Sequence, residues 1–132
     1  MQKKSEIKLE DYKTYPFSIP NIELDIHIFD EYVNVFSTFR IIPLSSSEQS
    51  LVLKGEDIKL IQISIDGKTL SQSKYKQKGN ELKIDFDKNK AFDLRITSTI
   101  NPFKNTSLEG LYFSGGIITS QCEAEGFRRI CF

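Results

Sequence analysis

At 132 residues, 39% hydrophobic and 27% charged, the chain has the size and apolar content of one ordinary soluble domain. Lys plus Arg and Asp plus Glu balance at 18 each, so no field of one sign exists to gather nucleic acid or an anionic membrane, and both partner classes are excluded. Two cysteines, Cys122 and Cys131, lack Cys-x-x-Cys spacing and are too few for a disulfide framework. With no apolar stretch in MQKKSEIKLEDYK and no run near the roughly eighteen apolar residues of a membrane span, the expectation is a soluble cytoplasmic protein with free thiols.

Residues 1–14 read as a frayed, charged arm. Pro16 and Pro20 then fix φ and keep the backbone extended, and the arm packs through Tyr15, Phe17 and Ile19. Ile22, Leu24, Ile26 and Ile28 alternate with Glu23, Asp25 and His27, the pattern of a half-buried strand with one wet face. His27 lies on that wet face, and the sequence offers it no neighbours for a metal or catalytic role. Asp30-Glu31 makes a turn into residues 32–42, which are apolar or aromatic on both parities, so that this strand is expected centrally or at a bend between sheets.

Pro43 ends that strand, and SSSEQS is a polar loop. Short strands at 51–53 and 58–65 flank the turn residues Gly55-Glu56-Asp57. Asp66-Gly67 signals a tight hairpin into 68–70, and Gly79-Asn80 a second, joining 74–78 to Leu82, Ile84 and Phe86. Beyond Asp87-Lys-Asn-Lys90, residues Phe92, Leu94, Ile96, Ser98 and Ile100 alternate with Asp93, Arg95, Thr97 and Thr99 until Asn101-Pro102 breaks the pattern. Residues 103–116 read as a loop, and Gly115-Gly116 frees the backbone before 117–122 extends again. No window shows the spacing of an amphipathic helix. About eight short strands with frequent turns imply an all-β domain, an antiparallel β-sandwich whose two sheets bury their alternating faces.

The residues that look chosen for chemistry come last. On an extended backbone Gln121, Glu123 and Glu125 project from one face, while Cys122 and Ala124 take the other. Carboxylates only accept hydrogen bonds and an amide adds one carbonyl, so such a row can receive an ammonium group; a solvated edge strand is the plainer reading. Cys122, facing away from the row, reads as a small buried hydrophobe. Arg128 and Arg129 read as surface ion-pair partners of Glu123 or Glu125. Asn105-Thr106-Ser107 fits a glycosylation pattern but receives no role without a secretory signal. Lys54, Lys59, Lys68, Lys74, Lys76 and Lys78 are interleaved with acids and form a solvated surface.

The strings SLEGLYFSGG and SQCEAEGFRRI, with DYKTYPFSIPNIELDIHIFDEYVNV, LVLKGEDIKLIQISIDGKTL and INPFKNTSLEGLY upstream, resemble the N-terminal domain of the aminopeptidase N family of zinc exopeptidases, in its bacterial alanyl aminopeptidase branch. The resemblance covers about Asp11 to Ile130. It implies a β-sandwich in which residues 105–132 form a substrate-anchoring loop and strand, with Gln121 and Glu123 holding the free α-amino group of a peptide N-terminus. It also implies that the zinc machinery, a Gly-x-Met-Glu-Asn loop and a His-Glu-x-x-His helix, belongs to a catalytic domain beyond this chain. A site of that type needs two histidines on one helix plus a carboxylate, and the chain has one histidine in all. The expectation is a truncated product or isolated domain, inactive alone and without a catalytic or metal residue of its own. Its partners would be a peptide N-terminus, the missing catalytic domain or a second copy. The pattern also departs at the end, where an aromatic-rich run toward Asp-Arg-Pro-Asp is expected after Ile130 and Cys131-Phe132 stands instead. The alternative is a free-standing β-sandwich binding module, because fold alone does not fix function.

Overall fold

Strands whose every second residue is β-branched, Leu or Phe have one face to bury, and two such sheets can bury them only against each other. The computed structural model describes residues 8–44, 50–87, 90–123 and 126–132. Its strands are β1 (Phe17–Ser18), β2 (Ile22–Ile28), β3 (Val33–Pro43), β4 (Ser50–Lys54), β5 (Lys59–Ile65), β6 (Lys68–Thr69), β7 (Tyr75–Lys78), β8 (Glu81–Asp85), β9 (Phe92–Ile100), β10 (Gly110–Ser114) and β11 (Ile117–Gln121). Helical structure among the described residues is confined to three short 3-10 turns, Leu9–Asp11, Gln72–Lys74 and Gly126–Arg129.

One sheet runs β1-β3-β9-β5-β6, with β2 also on β3, and the second runs β4-β8-β7; every pairing is antiparallel. The expected antiparallel β-sandwich is therefore the observed fold. Its core is set by one parity of each strand: Val33, Val35, Phe39 and Ile41 from β3 and Phe92, Leu94, Ile96 and Ile100 from β9, closed by Leu51, Leu53, Leu82 and Ile84 from the second sheet. The β9 alternation is thus realised in full, with Asp93 and Arg95 outside. β3 is central, between β1 and β2 on one side and β9 on the other, yet only one of its two apolar parities is buried; Tyr32 and Ile42 remain exposed.

The hairpins fall where their turn residues predicted. Ile65 pairs with Lys68 across Asp66-Gly67, and Lys78 pairs with Glu81 across Gly79-Asn80. The N-terminal arm docks through Phe17, whose ring lies 5.2 Å from that of Phe86. Tyr15 stays partly exposed and donates its hydroxyl to the Val52 carbonyl at 3.0 Å. Of the expected frayed arm, residues 1–7 lie outside the described residues, as do 45–49 of the polar loop and 88–89 of the later turn.

Two expectations need correction. β2 has the predicted boundaries, but its apolar row is not half-buried: Ile22, Ile26 and Ile28 are exposed and only Leu24 reaches the core. Its described pairing is with β3 alone, at the margin of a six-stranded sheet that a three-stranded sheet is too narrow to cover. The stretch 103–116 is not all loop either, because β10 occupies Gly110–Ser114 and pairs along its whole length with β11 across Gly115-Gly116.

Candidate functional site

The β10–β11 hairpin forms a separate two-stranded sheet attached beside the end of β9, where the Phe113 N–H donates to the Pro102 carbonyl at 3.1 Å. In its register Leu111 opposes Ser120 and Gly110 opposes Gln121. Leu111 and, just beyond β11, Cys122 share a face, and both pack against the core. That leaves Gln121 on the outer face. The loop leading in is shaped by Asn105, whose amide donates to the carbonyls of Glu109 (2.7 Å) and Leu111 (2.8 Å) while its Oδ1 accepts from Ser107 Oγ at 2.6 Å. A residue to which the sequence assigns no role is thus the clamp of this loop.

β11 stops at Gln121, and Glu123 sits in the turn that follows, its carbonyl accepting the Gly126 N–H at 3.3 Å. The expected extended row therefore does not continue as strand, because the chain bends into the 3-10 turn Gly126–Arg129. Gln121 and Glu123 nevertheless meet: Gln121 Nε2 lies 3.4 Å from Glu123 Oε2, and both residues are exposed. Glu125 and Ala124 lie outside the described residues. With Nε2 turned toward Glu123, Gln121 keeps its Oε1 and Glu123 keeps one carboxylate oxygen as acceptors, which suits a cationic donor.

Arg129 pairs away from the acidic row. Arg129 Nη2 lies 2.8 Å from Glu56 Oε1, Nη1 lies 2.9 Å from Asp57 Oδ2 and Nε lies 3.3 Å from Glu109 Oε2, with only 15% of the side chain exposed. Arg128 Nε reaches Glu56 Oε2 at 3.0 Å. For Arg129 the sequence places Arg and acid correctly as partners but points to other acids, because the β4–β5 turn that carries Glu56 and Asp57 is brought alongside only by the tertiary fold. A cleft of about 310 Å³ opens beside Arg129, lined by Glu56, Asp57, Lys104 and Asn105; neither Gln121 nor Glu123 lines it.

After the turn, Ile130, Cys131 and Phe132 enter the core without themselves forming a strand. Burial pushes the Cys131 thiol up to about 11. Both cysteines are unpaired thiols. His27 stands on the solvent side of β2, its Nε2 3.0 Å from Asp25 Oδ1 and its ring edge-on to Phe36. Among the described residues no group of three or more His, Cys, Asp or Glu side chains is arranged to hold a metal. No helix among them is long and apolar enough to cross a membrane.

Solved peptidase structures share this fold. The aminopeptidase A of Legionella pneumophila, in complex with aspartic acid, superposes with a TM-score of 0.86 at 28% identity, over 95% of this chain and 15% of that one. An M1 zinc metallopeptidase of Deinococcus radiodurans bound to a Tyr-Ser-Ala substrate shares the fold with a TM-score of 0.66 at 13% identity, over 86% of this chain and 28% of that one. The architecture is that of the N-terminal domain of M1 aminopeptidases.

Sequence relatives narrow the class. The aminopeptidase N of Caulobacter vibrioides is 36% identical over 126 residues, 96% of this chain, and that of Haemophilus influenzae 35% identical over 125 residues, 93% of this chain. The chain belongs to the aminopeptidase N family, as a counterpart of its N-terminal domain. It spans 14% of the length of each of these relatives. No protein-family model matches it. Zinc belongs to the full-length enzymes of the family; the described donors of this chain, with the single histidine engaged by Asp25, do not fit such a site.

Proposed function

We propose that this chain acts as the substrate-anchoring N-terminal domain of a zinc aminopeptidase that removes N-terminal amino acids from peptides. In this reading Gln121 and Glu123 receive the free α-amino group. The observation that carries it is the meeting of the Gln121 amide and the Glu123 carboxylate at 3.4 Å, exposed where β11 ends, within the QCEAEGFR string. Each offers an acceptor toward solvent, and an ammonium carries three donors.

Alone, the domain hydrolyses nothing, since holding an amine supplies neither a Lewis acid nor a general base to the scissile amide. The grip is also weak: in water a contact ion pair contributes about 1 kcal/mol, which corresponds to millimolar affinity or worse. The partner that strengthens it is the catalytic domain, or a second copy, seated on the apolar hairpin. Phe113 and Ile117 are exposed there, while Leu111 and Tyr112 are half-buried. A reducing cytoplasm suits the two unpaired thiols.

The test incubates the purified chain with an alanyl peptide, with and without added zinc, and sediments it at high concentration. No released residue and a concentration-dependent dimer are expected. Zinc-dependent release would overturn the inactivity, and a strict monomer the exposed-interface reading.

A further inference from the structure

We propose that Arg129 is a positioning residue that fixes the Gln121–Glu123 pair, an inference that rests on the amine-anchoring reading of that pair. The guanidinium joins its own turn to two other places. Glu56 and Asp57 belong to the turn between β4 and β5, part of the sandwich, whereas Glu109 immediately precedes β10. Each of the three guanidinium nitrogens faces its own carboxylate. A planar fork with donors on three atoms can do this, and a single ammonium cannot.

The backbone of the same turn is stacked on the last rung of the hairpin, Gly110 opposite Gln121. A Cβ on Gly110 would come within 2.7 Å of Arg129 Cβ, and one on Gly126 within 2.8 Å of the Gln121 carbonyl oxygen. Only glycine permits approaches this close, and Gly110 also holds a φ of +74°. The Glu56 N–H ties down the turn from the sandwich side by donating to the Arg128 carbonyl at 2.8 Å.

The chain leaving β11 through Cys122 and Glu123 must therefore reach a turn whose position is set from both sides. Arg129 holds it from both, through Glu109 just before the hairpin and through Glu56 and Asp57 on the sandwich. Where that turn sits decides where the Glu123 carboxylate lies relative to the Gln121 amide. Loosening Arg129 frees the pair without opening the core beneath β3 and β9.

Amide hydrogen exchange and the NMR signals of the Gln121 side-chain amide and the Glu123 carboxyl test this on the whole chain, in Arg129→Met, Arg129→Lys and Glu109→Gln. Arg129→Met should speed exchange along β10–β11 about tenfold or more and shift both signals, while β3 and β9 stay within about twofold. Arg129→Lys should rescue little of this, and Glu109→Gln should act in the same direction by about threefold. The proposal falls if exchange rises as much in β3 and β9 as in the hairpin, or if both signals are unmoved in folded Arg129→Met. Should that variant not fold, Glu109→Gln decides, and an unchanged hairpin sinks the proposal. Absence of amine binding by the wild-type chain would overturn the anchoring reading, whereas the exchange data judge Arg129 without any ligand.

Discussion

The sandwich and the hairpin are held by different physics. Between β3, β9, β4 and β8 the contacts are apolar and sealed: Val33, Val35, Ile41, Leu51, Leu82, Ile84 and Leu94 have no measurable exposure. The β10–β11 hairpin has few buried side chains and is attached by polar tethers, namely Asn105 to its leading loop, Arg129 to three carboxylates and the Phe113 N–H to Pro102. A region whose polar groups face solvent cannot be secured by burying them. It is secured instead from behind, and it is the part of the molecule where a local change can alter the site while sparing the fold.

The sharpest break of that contrast is a core truncation. Leu94→Ala should cost about 3 kcal/mol by creating a cavity among well-packed neighbours, and denaturant unfolding should show the loss as global, with hairpin and sheet amides failing together.

A smaller effect separates the two thiols. The Cys131 thiol is pushed up to about 11 from an ordinary value of 9.0. Below pH 9 it is protonated in the folded and the unfolded chain alike. From there to about pH 11 the unfolded chain releases a proton that the folded chain keeps, so stability falls across this window, by at most about 2 kcal/mol. Denaturant midpoints measured from pH 8 to 11 should decline less steeply in Cys131→Ala. In the native protein a thiol reagent should modify half-buried Cys122 well before buried Cys131.

Smaller again, and local, is Arg129→Met. Its side chain is largely buried but two of its three partners are well exposed, so the loss should be about 1–2 kcal/mol, between the values for surface and buried pairs. Equal weakening of hairpin and sheet protection would erase the distinction between the regions. Least of all, Glu123→Ala should move the unfolding midpoint by no more than about 0.5 kcal/mol, since the side chain is exposed.

How far each region could be read beforehand follows from the same contrast. β9 was legible because Phe92, Leu94, Ile96 and Ile100 repeat with the period of a strand and all are buried. β2 misled because the same alternation in Ile22, Ile26 and Ile28 says which face is apolar, not whether another sheet covers it. β10 was hidden by its ends, Gly110 and Ser114, which carry loop chemistry, and by a length of five residues that leaves little room for a period. The partners of Arg129 were out of reach: Asp57 is 72 positions away in the chain, and nothing periodic links a turn to a turn. Gln121 and Glu123 stand out in the sequence through the QCEAEGFR resemblance and their two-residue spacing. That spacing still brings them together although the strand stops between them.

The most direct test of the anchoring account is an NMR titration of the chain with an alanyl peptide bearing a free amine, against the same peptide N-acetylated, in the wild type and in Glu123→Ala. The account predicts shifts centred on Gln121 and Glu123 with a Kd of about 1 mM or weaker, absent with the acetylated peptide and absent in Glu123→Ala. Equal shifts with the acetylated peptide, or free-amine shifts that survive in Glu123→Ala, would contradict it.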